Sequence, residues 1–469
     1  MESKNTTLLV NPSQVVAYGE IKPPSQIHMG LAYLAGAIEK QDNVEIVDID
    51  AENISEDSFA SLIKNKHIDI VGFTSTTPTF FSSLKLAQIV KKHSSDTITV
   101  FGGIHPTICP FETIKNDSVD VVVKGEGEVA FKEISQAVKG GSDFSEVKGI
   151  FYKKNGKIVQ TSTRPLIEDL DLLAFPARHL FKNNAYTFPD ALYRETTSMI
   201  TSRGCPGRCT YCNAHQIFSR RFRKRSAQNI VDEVEFLVKK NNIKEIHIWD
   251  DNFITDKKRV LEVRDEILRR KLKVKFAFPN GLRADFLNEE VLKALKDMGT
   301  YSIALGVESG SQEILNRAHK GIKLEQIKEI TNLAKKLGLE IWAFFIFGLP
   351  GENAHTAEQT IDFALSLNPD IAKFHILKPY PGSEVYDYLK SKNLLLTQDY
   401  DRFGIHTGPV HKLDDFSPAD MLEWQKKAYK KFYLRFSKIT EQILRIKTIN
   451  RFKVNLDAGL SMTKMFFVK

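Results

Sequence analysis

Three cysteines within a run of eight residues are the first feature of this chain that could do chemistry. Cys205, Cys209 and Cys212 form a Cys-x3-Cys-x2-Cys pattern. Three thiolates can hold three irons of a cubane cluster, which leaves the fourth iron free to bind a small molecule. The alternative is zinc, for which His215 could serve as the fourth ligand. The spacing therefore indicates either an iron–sulfur cluster or a zinc knuckle.

The chain contains four cysteines in total, and the fourth is Cys109. Three clustered cysteines are not a disulfide framework, so they indicate metal or catalytic chemistry in a reducing compartment. Hydrophobic residues make up 42% and charged residues 26%, an ordinary globular composition. No stretch is apolar for long enough to be a signal peptide or a membrane span. We therefore expect a cytoplasmic protein.

Strand and helix patterns alternate in the first segment of the chain. Apolar, β-rich runs are separated by helical patterns such as Gly30–Glu39 and Ser82–Lys92, which predicts a parallel sheet covered on both faces. The predicted strands are Leu8–Val10, Val44–Ile49, Ile70–Ser75, Ile98–Gly102 and Val119–Val123. A hairpin at Gly149–Gln160 and an ordered connector follow.

Six further strand candidates, the first five each followed by a helical stretch, form the second segment. They are Met199–Ser202, Glu245–Asp250, Lys273–Pro279, Ser302–Glu308, Glu340–Phe347 and Ile371–Leu377. Six consecutive βα units predict an open (β/α)6 barrel, in which reactive groups belong at the carboxyl ends of the strands. The cysteine run follows the first of these strands, as this rule requires.

The predicted organisation is α/β. A Rossmann-like domain (1–145) is followed by a hairpin and connector (146–196), a partial TIM-type (β/α)6 barrel (197–385) and a helical, basic region (386–469). In the last region Met421–Ile449 is the clearest helix, and Lys426–Tyr433 mixes cations with aromatic residues. We expect a basic helix that closes the barrel, with peripheral membrane contact as the alternative.

The net charge of +8 arises from 66 basic against 58 acidic residues. This surplus is small for so long a chain, and no nucleic-acid partner is expected. Part of the excess lies in the run 220–225, which contains five basic residues. Solvated surface charge and a binding patch are both open interpretations of this run.

The second segment resembles the radical S-adenosylmethionine superfamily over residues 199–385. Besides the cysteine spacing, the resemblance rests on blocks at strand ends, namely Asp250–Phe253, Gly306–Gly310, Phe347–Glu352 and Pro379–Ser383. It implies a [4Fe–4S] cluster, held by the three cysteines, that cleaves S-adenosylmethionine to a 5′-deoxyadenosyl radical. It also implies an electron donor such as a flavodoxin or ferredoxin.

The same resemblance suggests how the carboxylates at the strand ends are used. Glu308 would contact the ribose or amino end of S-adenosylmethionine, and Asp251 would lie near its ammonium group. Asp250 is either a ligand of this kind or the cap of the next helix. Gly348 and Gly351 are interpreted as tight-turn residues rather than ligands.

The first segment resembles the cobalamin-binding domain that is fused to such barrels, over about residues 5–140. No Gly-x-Gly-x-x-Gly follows its first strand, which argues against a dinucleotide site. The resembling motifs are Gly30–Ala35, Asp48–Ala51, Gly72–Thr77, Phe101–Pro106 and Gly125–Glu128. They imply that Ser75, Gly102 and Gly103 accommodate the nucleotide tail of cobalamin. For the two glycines, a plain strand-to-helix turn is the alternative.

The loop that would supply a lower cobalt ligand departs from the Asp-x-His-x-x-Gly pattern of related domains. Asp48 occupies the Asp position, but Asp50 stands in place of His and Asn53 in place of Gly. We therefore expect cobalamin to bind base-off, without a histidine ligand from this loop. His105 is either a polar contact above the corrin or a structural histidine, and Cys109 is interpreted as a small buried hydrophobe.

The two resemblances together imply a cobalamin-dependent radical S-adenosylmethionine enzyme. Such enzymes are most often methyltransferases that act on an unactivated carbon, here of a small molecule, lipid or tetrapyrrole. The alternative is an oxidative or cyclising enzyme similar to the anaerobic magnesium-protoporphyrin monomethyl ester cyclases. A methylthiotransferase would need three more cysteines for a second cluster, and only Cys109 remains. A cobalamin sensor would not need the cysteine run.

Overall fold

A computed structural model of the chain describes residues 4–18, 26–182, 186, 188 and 191–444. The amino-terminal part alternates strands with helices and ends in a hairpin. Its elements are β1 Thr6–Asn11, α1 Val15–Tyr18, α2 Met29–Ile38, β2 Asn43–Asp48, α3 Glu56–Asn65, β3 Ile70–Thr74, α4 Phe80–His93, β4 Ile98–Gly102, α5 Ile104–Ile108, α6 Pro110–Ile114, β5 Val121–Val123, α7 Glu128–Gly140, β6 Ile150–Lys154 and β7 Lys157–Gln160.

These strands form one sheet in the order β2-β1-β3-β4-β5-β6-β7, in which the first five run parallel and the hairpin β6–β7 is antiparallel. Alternate residues of β1 enter different cores, since Leu8 and Val10 pack on one face of the sheet and Leu9 on the other. The five predicted strands and the hairpin are confirmed. The strand order reverses direction between β1 and β3, and ligands of such sheets bind at the carboxyl ends beside this point.

The second part contains six βα units. Its elements are β8 Thr196–Met199, β9 Ser202–Arg203, α8 His215–Phe218, β10 Arg223–Lys224, α9 Ala227–Asn241, β11 Glu245–Ile248, α10 Lys257–Arg269, β12 Lys275–Leu282, α11 Glu289–Asp297, β13 Thr300–Glu308, α12 Gln312–Arg317, α13 Leu324–Lys336, β14 Glu340–Phe347, α14 Ala354–Leu367 and β15 Ile371–Ile376. The six long strands form a parallel sheet in the order β8-β11-β12-β13-β14-β15. This arrangement confirms the open six-unit barrel.

The first strand of the barrel lies earlier than predicted. It spans Thr196–Met199, whereas Ser202–Arg203 forms a separate two-stranded ladder with Arg223–Lys224. The cause is Asp250, whose carboxylate accepts hydrogen bonds from the Thr201 N–H and hydroxyl, both at 2.6 Å. The backbone of Thr201 therefore leaves the barrel ladder before the strand reaches the cysteine run.

The carboxy-terminal region is helical only in part. Its helices are α15 Glu384–Ser391, α16 Pro418–Tyr433 and α17 Phe436–Leu444. The prediction of helix is wrong for most of 392–417, in which the described structure has only the short 3-10 helix Tyr400–Phe403. This segment folds back on the amino-terminal sheet, so that Tyr400 and Phe403 join one of its cores. The end of the predicted helix Met421–Ile449, beyond Leu444, lies outside the described residues.

Helix α16 covers the exposed edge of β15. The Tyr433 hydroxyl accepts from the Ala372 N–H at 3.0 Å and donates to its carbonyl at 2.9 Å. The Tyr429 hydroxyl accepts from the N–H of Phe374 in the same way, at 3.2 Å. These bonds satisfy an edge that would otherwise be open to pairing. The aromatic residues of this helix are thus turned into the protein, which favours the barrel-closing interpretation over membrane contact.

None of the helices in the described part of the chain has the length and apolarity required to cross a bilayer.

Candidate active site

The cysteine loop begins after β9, at the carboxyl end of the barrel strands. Cys205, Cys209 and Cys212 are all free thiols and half-buried. Gly204 has a φ of +85°, and a Cβ there would lie 2.2 Å from the Arg221 carbonyl oxygen. Glycine is therefore required where the chain turns into this loop.

Arg283, just after β12, points at the cysteine loop. Its Nη1 lies 3.4 Å from Cys209 Sγ, and its Nη2 donates to Asp285 at 2.8 Å and to the Lys320 carbonyl at 2.6 Å. Burial raises the pKa of the Cys212 thiol to about 11. Metal binding must therefore displace a proton from this thiol, and the nearby guanidinium favours the resulting anionic sulfurs.

Glu308 and Lys320 form an ion pair beside the cysteines. Lys320 Nζ donates to Glu308 Oε1 at 2.7 Å and to the Tyr211 hydroxyl at 3.2 Å. Burial alone would lower the pKa of Lys320, but the charges of Glu308 and Cys209 raise it above its ordinary value, so the ammonium stays charged. Glu308 has a φ of +67°, a strained conformation for this residue type that is common at functional sites.

The two neighbouring aspartates after β11 have different roles. Asp251 accepts a hydrogen bond from the Gly204 N–H at 2.8 Å and so contacts the cysteine loop directly. Asp250 is buried, and protein donors occupy both of its oxygens. The cap of α10 is Asp256. The interpretation of Asp250 as a helix cap is therefore wrong, and its contacts favour a role in fixing the chain before the cysteines over a role as ligand.

The turn after β14 is built around a buried carboxyl group. Gly348 and Gly351 have φ values of +93° and +89°, which confirms them as tight-turn residues. The Gly348 N–H donates to Glu352 Oε2. Glu352 is 2% exposed, and burial raises its pKa to about 8. This carboxyl is therefore protonated at neutral pH.

The raised pKa of Glu352 predicts a pH-dependent contribution to stability. The native state holds a proton that the unfolded state, with a pKa near 4.5, releases. The contribution of Glu352 to the free energy of unfolding is therefore largest below the unfolded-state pKa. It falls by about 1.4 kcal/mol per pH unit up to about pH 8. In urea titrations between about pH 5 and pH 8, the free energy of unfolding of Glu352→Gln should rise relative to that of wild type by this amount per pH unit. A difference that stays constant with pH would contradict the assignment.

The inner face of the barrel is incompletely filled at β14 and β15. Phe344, Ile346, Lys373 and His375 are half-buried, whereas their outward-pointing neighbours, such as Phe345, are fully buried. The His375 and Phe344 rings meet edge-to-face at 6.3 Å. Burial lowers the pKa of His375 to about 3, so its imidazole is neutral. The lumen therefore offers room and a partly aromatic wall to a ligand.

On the amino-terminal sheet, Ser75 and the two glycines form one turn at the ends of β3 and β4. The Ser75 N–H donates to the Gly102 carbonyl at 2.9 Å, and the His105 N–H donates to the Ser75 carbonyl at 3.1 Å. Gly103 has a φ of +100°, and a Cβ there would lie 2.9 Å from the Ser75 oxygen. A Cβ on Gly102 would meet no atom within 4 Å in the part of the chain that the structure describes. Gly103 is thus needed for the turn, whereas Gly102 leaves the backbone at this edge of the sheet without a side chain of its own to cover it.

The Asp48 loop presents carboxylates rather than an imidazole. Asp48 accepts from the Asn11 side chain and the Ala51 N–H, both at 3.0 Å. Asp50 accepts from the Gln14 N–H at 2.6 Å, and Asn53 takes the left-handed conformation, φ +52°, at the position where related domains have glycine. The loop borders a cavity of about 450 Å³.

His105 is fully buried. Its position favours the structural interpretation over a polar contact above the corrin. Cys109 is half-buried rather than buried, and burial raises the pKa of its thiol to about 11.

A buried ion network joins the two sheets and was missed in the sequence. Glu126 accepts from Arg203 Nη1 at 2.6 Å and from Arg223 Nη1 at 2.9 Å, and Arg203 also donates to Glu128. Arg203 and Arg223 are direct partners in the β9–β10 ladder, and Arg203 lies two residues before Cys205. The cysteine loop is therefore tied to the turn that follows β5. The signal was present as two acids in Gly125–Glu128 and a basic run at 220–225.

The carboxyl ends of the two sheets face each other. Besides the pair Arg203–Glu126, the loop after β15 approaches the helix after β4: a Cβ on Gly382 would lie 2.8 Å from Ile108 Cγ2. In both contacts the residues follow the carboxyl ends of sheet strands: β5 and β8 in the first, β4 and β15 in the second. A group bound on the amino-terminal sheet would thus face the mouth of the barrel.

Comparison with known proteins agrees with this architecture. The radical SAM superfamily model matches residues 199–364, and the B12 binding domain model matches residues 24–135. An uncharacterized methyltransferase of Pyrococcus horikoshii is 34% identical over 91% of this chain and 92% of its own length. The anaerobic magnesium-protoporphyrin IX monomethyl ester cyclase of Rubrivivax gelatinosus is 30% identical over 91% of this chain and 77% of its own length.

A solved structure shares the whole arrangement. The cobalamin-dependent S-adenosylmethionine radical enzyme OxsB, with aqua-cobalamin and S-adenosylmethionine bound, matches with a TM-score of 0.75 at 20% identity, over 99% of this chain and 72% of that one. The fold class is thus a B12-binding domain joined to a radical S-adenosylmethionine barrel.

This chain belongs to the radical S-adenosylmethionine superfamily, among the members that carry a B12-binding domain. It is a cobalamin-dependent enzyme whose cofactors are a [4Fe–4S] cluster, S-adenosylmethionine and cobalamin. Membership decides between cluster and zinc knuckle in favour of the cluster.

Proposed function

We propose that this enzyme transfers a methyl group from S-adenosylmethionine to an unactivated carbon. The observation that carries the proposal is the face-to-face arrangement of the two carboxyl edges, fixed by the pair Arg203–Glu126. Cobalamin on one edge and the cluster on the other would enclose a substrate between them. The similarity to a methyltransferase over nearly the full length of both chains supports methyl transfer.

In this proposal, Cys205, Cys209 and Cys212 ligate three irons of the cluster. The cluster supplies the electron that cleaves S-adenosylmethionine to a 5′-deoxyadenosyl radical. Arg283 donates a hydrogen bond toward Cys209 Sγ, and such bonds to cluster sulfurs tune the reduction potential. The electron would come from a donor such as a flavodoxin or ferredoxin.

S-adenosylmethionine would lie in the barrel mouth beside the cluster. Glu308 would face its ribose or amino end, and Asp251 its ammonium group, because both carboxylates lie next to the cysteine loop. Lys320, which is charged and pairs with Glu308, holds that carboxylate in place. The substrate would occupy the lumen wall at Phe344 and His375, where the strands leave space.

Cobalamin would bind on the edge formed by Ser75, Gly102 and Gly103, base-off, because the Asp48 loop offers no imidazole. Cobalamin supplies the carrier for the methyl group. The bare edge at Gly102 would allow the nucleotide tail to approach the backbone closely.

The two glycines provide a matched test of this cobalamin edge. Gly102→Leu should leave the unfolding temperature of the cobalamin-free protein nearly unchanged, because its Cβ meets no atom within 4 Å. Cobalamin affinity should nevertheless fall by at least about tenfold, since the side chain fills the edge. Gly103→Ala should instead lower stability itself, because its φ is +100° and Ser75 is too close. Unchanged cobalamin binding by Gly102→Leu would show that the glycines only form a turn.

Reconstitution under anaerobic conditions tests the reaction class. The protein, with iron, sulfide, cobalamin and a reduced flavodoxin, is incubated with candidate small molecules, lipids and tetrapyrroles. Methyl transfer predicts S-adenosylhomocysteine and 5′-deoxyadenosine together, the former only when cobalamin is present.

The alternative is cyclisation or oxidation, as in the cyclase that is 30% identical to this chain. In that case 5′-deoxyadenosine would form without S-adenosylhomocysteine. The product would lose hydrogen atoms or gain oxygen, and it would not gain a methyl group.

A further inference from the structure

A group of metal-ligating side chains lies away from the proposed cluster and cobalamin edges. His105 lies on α5, Glu112 lies on α6 and Cys109 lies between the two helices, and one ligand atom from each residue falls within 4.8 Å of the others. They come from different chemical classes: imidazole, thiol and carboxylate. We infer that these three residues form a zinc site, which bridges the amino-terminal sheet and the carboxy-terminal region.

The histidine is already oriented as a ligand. His105 is fully buried, and its Nδ1 lies 3.3 Å from the Thr77 hydroxyl, whereas its Nε2 has no hydrogen-bond partner among the described residues. A buried polar nitrogen without a partner is costly. Metal-binding histidines in general bond a protein group through one ring nitrogen and offer the other to the ion. The Phe80 and Tyr400 rings, with centroids 4.2 and 4.7 Å away, hold the imidazole in place.

The carboxylate is held in a similar way. Glu112 Oε2 accepts a hydrogen bond from the Tyr400 hydroxyl at 2.9 Å. Tyr400 belongs to the segment 392–417 that folds back on the amino-terminal sheet. A water molecule would complete the ligand set, as in zinc sites with three protein ligands. The site would thus fasten this returning segment to the domain that carries the cobalamin edge.

The ligand atoms of these three residues and their exposure to solvent suit zinc. Zinc is bound in proteins by nitrogen, sulfur and oxygen at about 2.0–2.3 Å, so ligand atoms within 4.8 Å need to close by about 1 Å. Glu112 is exposed and Cys109 half-exposed, which gives the ion a route from solvent. The Lys390 ammonium, from α15, acts electrostatically on the Cys109 thiol and favours its thiolate form.

The cysteine content of the chain permits a selective test with cobalt(II), which replaces zinc and reports a thiolate ligand by an intense charge-transfer absorbance. In the full-length variant Cys205→Ser/Cys209→Ser/Cys212→Ser, Cys109 is the one remaining thiol of the four. We expect this variant to bind one cobalt ion with thiolate-to-metal absorbance, which adding Cys109→Ser abolishes and adding zinc displaces. Absence of the absorbance in a variant that still binds cobalamin would overturn the site.

Metal analysis of the wild-type protein provides a second measurement that does not depend on folding of the triple variant. Anaerobically reconstituted protein should contain one zinc per chain in addition to its iron. Glu112→Gln should lower zinc affinity by at least about tenfold. His179→Gln is the matched control, because His179 is an exposed histidine paired with a glutamate, Glu39, at 3.0 Å, and it should leave zinc content unchanged. Zinc content near zero in wild type, or equal in all three proteins, would contradict the inference.

Discussion

Replacing Cys205 with alanine is expected to abolish S-adenosylmethionine cleavage. The variant keeps two of the three thiolates at Cys209 and Cys212, too few to hold a cluster that is already one ligand short of four. Iron content should fall from four atoms per chain to a small residue, the visible absorbance of the cluster should disappear, and 5′-deoxyadenosine should form only at the background rate.

Cobalamin binding provides the internal control for this variant. Cys205 lies in the loop after β9, and Ser75, Gly102 and Gly103 lie on the other sheet, so cobalamin affinity should remain within about twofold of wild type. Four irons in Cys205→Ala, or radical formation at the wild-type rate, would show that another ligand set holds the cluster.

Replacing Glu126 with glutamine is expected to destabilise the protein by about 3–5 kcal/mol. Its carboxylate is 2% exposed and faces the buried guanidinium groups of Arg203 and Arg223. Glutamine has nearly the same shape but leaves two buried cations short of a countercharge. Since Arg203 lies two residues before Cys205, the cluster loop should also lose its fixed position against the cobalamin edge. The free energy of unfolding from urea titration measures the first effect.

Glu168→Gln is the matched control for this variant. Glu168 also pairs with an arginine of the run 220–225, but its side chain is 59% exposed and that of its partner Arg221 is 67% exposed, at 2.8 Å. Exposed pairs contribute little, so its replacement should cost less than about 1 kcal/mol. Equal costs for the two variants would show that the buried pair does not hold the sheets together.

In the anaerobic reconstitution assay, Glu126→Gln protein that retains iron and cobalamin should form 5′-deoxyadenosine in excess over S-adenosylhomocysteine. A loosened interface still allows cleavage of S-adenosylmethionine in the barrel, but it displaces the cobalamin edge from the mouth of the barrel. A wild-type ratio of the two products would limit Glu126 to a purely structural role.

The architecture followed from the sequence because its signals are local. The period of apolar residues and the turn residues between them determine each βα unit, and the cysteine spacing is contained in eight residues. The first barrel strand was misplaced because its end depends on a distant carboxylate: Asp250 takes the N–H of Thr201, which a local pattern cannot show.

The roles of the residues at the interface between the sheets could not be predicted from the sequence for the same reason. Glu126 meets Arg203 across 77 positions and Arg223 across 97. In the sequence, the acids belong to a cobalamin-domain motif and the arginines to a basic run that was open to a surface or binding interpretation. Only the fold shows that two of the five basic residues in that run, Arg223 and Arg225, form ion pairs inside the protein.

The central claim is methyl transfer between the two facing edges, and an isotope tracer tests it most directly. Reconstituted enzyme is supplied with S-adenosylmethionine whose methyl group carries three deuterium atoms, and products are analysed by mass spectrometry. Methyl transfer predicts one substrate-derived product with a deuterated methyl group for each S-adenosylhomocysteine and each 5′-deoxyadenosine. A product that lacks the label, formed with 5′-deoxyadenosine but without S-adenosylhomocysteine, would contradict it.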